Sequence, residues 1–166
     1  MDVALRGIAY GSGERTYMLR YRETGELHKD FHGSTSLALD FVAGRHGEEA
    51  LTEILHNVGT RVYASIHQKL LQDDPSELIE HLAYFYNREE ADFDLEVTEH
   101  EITLRVHQCP AIAHIRKLGL PLSPRFCRST TDVNAALCAG TPWATETQIL
   151  AEGQCVQRFY RKERKA

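Results

Sequence analysis

Cysteine is absent from the first 108 residues of this 166-residue chain, and no two of its four cysteines form a C-x-x-C pair. The missing pairs exclude the usual zinc-ribbon and thioredoxin readings. Long hydrophobic runs are missing too. None approaches the ~20 residues of a membrane helix, and the opening Met1-Asp2-Val3-Ala4-Leu5-Arg6-Gly7 lacks the apolar core of a signal peptide. Positive charge is scarce, with 19 Lys and Arg against 24 Asp and Glu and a formal net charge of -5. Without a basic stripe to meet phosphates, nucleic acid is not an expected partner. The one basic run, 158–165, reads as a strand end passing into a solvated tail at 162–166. No internal repeat and no low-complexity linker divides the chain. The expectation is one domain spanning 1–166, cytoplasmic, away from membranes, with its thiols reduced.

What is present reads as helices first and strands second. Residues 1–27 resist assignment, because Gly7, Gly11, Gly13 and Gly25 punctuate short apolar runs such as Tyr17-Met18-Leu19. The segment 34–90 is helical. Leu37, Phe41 and Val42 mark one helix from Ser34 to about Gly44 or Gly47. Leu51, Ile54, Leu55, Val58, Val62, Ile66 and Leu70 then form one stripe at spacings of three and four. Gly59 is a break point within that stripe, and a stripe this long also suggests a homodimer. Asp74-Pro75-Ser76-Glu77 opens a further helix, with a capping carboxylate, a proline and a Glu in the first turn, running to about Arg88.

From 92 to 161 the period is mostly two. Phe93, Leu95 and Val97, then Ile102, Leu104 and Val106, form a hairpin around Glu99-His100. Short helices follow from Pro110 to Gly119 and from Ser129 or Thr130 to about Gly140. A second hairpin, about 143–150 and 154–161, turns at Glu152-Gly153. Fold class is therefore α+β, with N-terminal helices packed on an antiparallel sheet made of two C-terminal hairpins with short helices between them.

Chemistry concentrates in the cysteines. Cys109 and Cys127 each precede a helix, where the dipole favours thiolate, and Cys127 is flanked by Arg125 and Arg128. Cys127 is thus a nucleophile or metal-ligand candidate, or else a small residue packed under the sheet. Cys138 stands a helix length from Cys127, roughly 16 Å at about 1.5 Å per residue, too far to share an ion at ~2.3 Å per bond. It reads as core. Cys155 starts a strand, and its facing is left open. A pocket of Cys109, Cys127 and Cys155 with a histidine is sterically reasonable. His28 and His32 are four apart, the spacing that presents two imidazoles to a divalent transition metal if the segment is helical, with Asp30 to orient a ring. His81 reads as a surface partner of Glu77, and His46, His56, His67 and His100 read as solvated.

The strand ending in Cys109-Pro110, then Phe126-Cys127 followed by Asp132 and Asn134, then Thr145 and Thr147 before Gly153-Gln154-Cys155, resembles the L-2-amino-thiazoline-4-carboxylic acid hydrolase family. It is more remotely similar to the small-molecule-binding domains of 4-vinyl-reductase type. The resemblance covers about residues 92–160. It implies helices on an antiparallel sheet enclosing a ligand pocket, and hydrolytic opening of a small cyclic C–N or C–S substrate. Cys127, Asp132 and His32 would then be catalytic, and Cys109, Cys155, Asn134 and His28 would contact substrate. Asp132 stands further from Cys127 than the family's acidic residue does. Three readings follow: a hydrolase, a non-catalytic sensor or carrier, and a metal-stabilised scaffold using His28, His32 or Cys127.

Overall fold

The computed structural model describes residues 29–163. His28, the segment 1–27 and the tail beyond Glu163 lie outside the described residues. The order is α1 (Phe31–Asn57), a π-helical turn (Val58–Val62), α2 (Ala64–Leu71), α3 (Ser76–Arg88), β1 (Asp92–Val97), β2 (Glu101–Gln108), α4 (Pro110–Lys117), α5 (Arg128–Leu137), β3 (Trp143–Ala151) and β4 (Gln154–Arg161). The fold is α+β. Each hairpin pairs antiparallel, and β4 pairs antiparallel with β2, which gives the sheet order β1-β2-β4-β3. No helix among the described residues is long and apolar enough to cross a membrane.

The long helical stretch is broken twice, both times at glycine. At Gly47 the chain takes φ 89°, a backbone that glycine adopts at little cost, and α1 kinks there. At Gly59 the reason is space. A Cβ there would stand 2.5 Å from Ala136 Cβ and 2.9 Å from Val133 O, so the helical backbones touch directly. The wide turn at 58–62 also moves the stripe out of phase. Leu51, Leu55, Ile66 and Leu70 are buried in this chain's own core, whereas Ile54 and Val62 are exposed. Most of the stripe offered as a dimer face is therefore used internally.

The first half of α1 departs further from expectation. It begins at Phe31 and not at Ser34, and Leu37 and Phe41 are exposed. The buried side is instead Gly33, Ser36, Leu39 and Ala43. Small residues win because the loop after α4 lies close. Ser36 Oγ donates to Pro121 O at 2.9 Å and accepts from the Ser123 amide at 2.8 Å. At α3 the helix starts at Ser76, and the Asp74 carboxylate accepts the Ser76 amide at 3.0 Å. Hydrogen bonds from the Ser76 hydroxyl and then its amide, with Lys69 adding, favour the anion and hold the Asp74 carboxyl down at about 2.

Cross-strand rows organise the helix-facing side of the sheet. One row runs Phe93, Val106, Cys155, Ile149; the next Leu95, Leu104, Gln157, Thr147; the third Val97, Ile102, Phe159, Thr145. The opposite side carries Thr103, Arg158 and Glu146, with Arg158 also paired to Glu101. Two apolar clusters lie behind the rows. One joins α2, α3 and the strands around Trp143, Phe159, Ile102 and Leu104; the other joins α1, α4 and α5 around Leu51, Leu55, Ile112 and Ile115. Cys109 packs against both.

Candidate functional site

The hairpin register decides the facing of Cys155. Its side chain shares the helix side of the sheet with Gln157 and Phe159. Cys109 follows β2 and caps α4, with its amide donating at 2.7 Å to the carbonyl of Gly153, in the β3–β4 turn two residues before Cys155. Cys127 caps α5, whose next turn carries Asn134. The three thiols are half-buried and act electrostatically on one another: Cys109 on Cys127, and both on Cys155. Cys138, four residues beyond Asn134, is buried in the core with Leu137 and Trp143.

A buried polar chain meets Cys155. Gln157 is 1% exposed in the middle of the sheet. Its Oε1 accepts from Asn134 Nδ2 at 2.8 Å, and its Nε2 donates to Tyr86 Oη at 2.8 Å and to Cys155 Sγ at 3.7 Å. A buried amide with all its bonds made fixes one arrangement of the groups around it. Burial pushes the Tyr86 phenol well above its ordinary range, opposed by the Gln157 donor. Directly across the ladder from Gln157 is Thr147, whose Oγ1 is inaccessible to solvent and has no hydrogen-bond partner.

Burial shifts all three thiols up, against the direction expected from the helix dipole. Burial raises Cys109, with the Ile112 and Ala111 amides opposing and Glu89 adding to the rise. Burial likewise raises Cys127, helped by Cys109 and Glu152. Cys155 rises by burial too, against the Gln157 donor. The arginines beside Cys127 are engaged elsewhere. Arg125 binds Glu48 at 2.7 Å and Asp40 at 3.2 Å, and Arg128 binds Glu48 at 2.6 Å. Arg128 also grips Asp132 through two nitrogens at 2.8 and 2.6 Å. Asp132 thus pins a helix turn, with its oxygens accepting from Arg128 and the Thr131 hydroxyl.

His32 lies elsewhere than expected as well. It is 4% exposed, with Nε2 at 3.1 Å from Oε2 of Glu89, itself 3% exposed. Burial lowers its pKa against the raising effect of Glu89. Lys29 donates to the Glu89 carbonyl at 2.7 Å, and His114 reaches Asp30 at 3.4 Å. His32 therefore latches α1 to the end of α3 through Glu89, the carboxylate that acts on Cys109. Among the described residues, no group of three or more His, Cys, Asp or Glu side chains is arranged to hold a metal ion. His81 is half-buried between Tyr63 and Phe85 and not a surface residue, and His67 Nδ1 bonds Leu137 O at 2.9 Å.

Glu89 carries no sequence signal, because Arg88-Glu89-Glu90 reads as an ordinary charged helix end. It is buried because the chain reverses there, with the Glu90 amide bonded to Asn87 O and the Ala91 amide to Tyr86 O. Two surface clefts lie apart from the thiols. One is lined by Asp73, His100, Pro142, Arg161, Lys162 and Glu163, and the other by Ala83, Tyr84, Asn87 and Arg88. No protein-family model, no curated protein and no solved structure matches the chain.

Proposed function

We propose that the chain is a small-molecule-binding domain. Its ligand is received where Cys109, Cys127 and Cys155 meet the Asn134–Gln157–Tyr86 chain. Gln157 carries this reading. A glutamine buried in mid-sheet must have its amide fully bonded to be tolerated, and a leucine would serve packing as well. Its partners come from α3 and α5, and its amide lies 3.7 Å from Cys155 Sγ. Thiols raised by burial suit binding better than nucleophilic attack. A reducing compartment such as the cytoplasm belongs to this reading, since all four thiols are free.

The test is a thermal-shift screen of small heterocycles, amides and lactams, with product analysis of every stabilising compound. Binding raises the melting temperature by mass action, and the compound is recovered unchanged. If no compound stabilises the protein or perturbs its cysteine and Gln157 resonances, the reading fails.

One observation favours a hydrolase as the second reading. Cys109 has the Ile112 and Ala111 amides for its thiolate and Glu89 nearby. In that reading Cys109, not Cys127, attacks a cyclic C–N or C–S bond of the kind implied by the resemblance. Product formation that vanishes in Cys109→Ser would bring it to the front.

A further inference from the structure

The two edges of the sheet are finished differently. β1 closes one side with six residues and carries Asp92, Asp94 and Glu96, all exposed, with a bulge between Asp92 and Phe93. Acids and bulges of this kind keep a further strand from pairing with an edge. β3 closes the other side. It is nine residues long and has no proline or lysine. Its one charged residue, Glu146, lies 3.6 Å from Arg158 of β4. Its bulge falls between Ile149 and Ala151, so 143–149 pairs regularly with β4. Ile149 and Leu150 are 46% and 48% exposed beside it.

The ladder also fixes which backbone groups of β3 point outward. The Lys162 amide donates to Pro142 O at 2.9 Å, in step with the register that joins Trp143 to Arg161. Bonded pairs alternate along an antiparallel ladder. Ala144, Glu146 and Gln148 therefore bond β4, while Trp143, Thr145, Thr147 and Ile149 turn their amides and carbonyls off the sheet. Trp143 is met there by the Thr141 hydroxyl, which accepts from its amide at 3.0 Å and donates to its carbonyl at 3.2 Å. Among the described residues, no backbone bond from outside the sheet reaches Thr145, Thr147 or Ile149.

We infer that a second copy of the chain pairs with this edge, β3 against β3 and antiparallel, about a two-fold axis at Thr147. This register uses all three open residues. Thr147 meets its own copy, and Thr145 of one chain faces Ile149 of the other, each pair exchanging two bonds. The side chains agree with it. Glu146 of one chain comes opposite Gln148 of the other, an acceptor against an amide donor, whereas an axis at Glu146 would set like charges face to face. One continuous sheet results, four strands from each copy, with the acid-bearing β1 at both of its ends.

Sedimentation velocity of the full chain over a concentration series tests this, with the mass expected to reach twice that of the chain. Thr147→Pro is the disrupting variant, because residue 147 needs no amide within the hairpin and proline is tolerated on the free side of an edge strand. It should give a monomer with an unchanged near-ultraviolet spectrum. Should that variant fail to fold, position 148 decides. Gln148→Glu should weaken association roughly tenfold by opposing Glu146, and Gln148→Lys should tighten it. Amide exchange gives the residue-level reading, with Thr145, Thr147 and Ile149 protected in the dimer. A chain that stays monomeric overturns the inference, as does a dimer that survives Thr147→Pro or is indifferent to charge at 148. A monomer with those three amides protected overturns it equally, since another part of the same chain would then cover the edge.

Discussion

Against the two ends of the same sheet face lie cysteines in unlike surroundings. At one end Cys138 sits with Trp143, Phe159 and Ile102, all three at 0% exposure, and burial pushes its thiol up to about 12. At the other end Cys109, Cys127 and Cys155 are half-buried and interleaved with an amide, a phenol and an unpartnered hydroxyl. One end is closed by apolar side chains. The other spends buried positions on polar groups that a core does not need. The difference separates scaffold from site more cleanly than any single residue does.

Trp143→Ala should break the closed end and have the largest effect, a loss of about 3–5 kcal/mol in urea unfolding. The indole leaves a cavity, and its bond to Asp73 at 3.0 Å is lost. Gln157→Leu at the thiol end should cost less, about 1–3 kcal/mol for unpaired Asn134 and Tyr86 groups. The reverse order would remove the distinction between the two ends.

Alkali probes both ends. All four thiols are raised in the folded state, so the fold binds more protons than the unfolded chain above the ordinary thiol pKa. The thiols' contribution to stability is then constant below about pH 8.5 and is lost as pH rises toward the folded values. Cys138, raised from 9.0 to about 12, contributes the steepest part, and Cys138→Ala should flatten the curve. Iodoacetamide should modify Cys109, Cys127 and Cys155 in the native protein while sparing Cys138 until unfolding.

Acid probes the latch beside the thiol end. His32 and His81 are both lowered by burial, so the unfolded chain takes up their protons first as pH falls below about 6.5. Stability should decline there, and less steeply in His32→Gln, as chemical unfolding at pH 7 and pH 5 would show. The smallest expected effect is at Glu90, held at φ 56°. Glu90→Gly should gain about 0.5–1 kcal/mol in the same assay while leaving Glu89 in place.

Much of the secondary structure was legible because periodicity is local. Both hairpins, their turns and the two short helices fall where alternation and the Pro110, Glu152 and Gly153 signals put them. The stripe from Leu51 to Leu70 was legible as apolar, but its phase was not, since the π-turn depends on how closely Gly59 meets α5. The outward facing of Leu37 and Phe41 was hidden for a related reason: the small residues beside them are chosen by a loop 85 positions away in the chain.

The α+β class, the hairpins and the distance of Cys138 from Cys127 were readable from the chain alone, because these follow from backbone period and helix length. Only the tertiary structure decided which groups meet. It placed Gln157 between Asn134 and Tyr86, set His32 against Glu89 and tied Asp132 to Arg128. It also reversed the expected thiol chemistry, since a helix dipole can be read from one segment, whereas desolvation is set by everything packed around it.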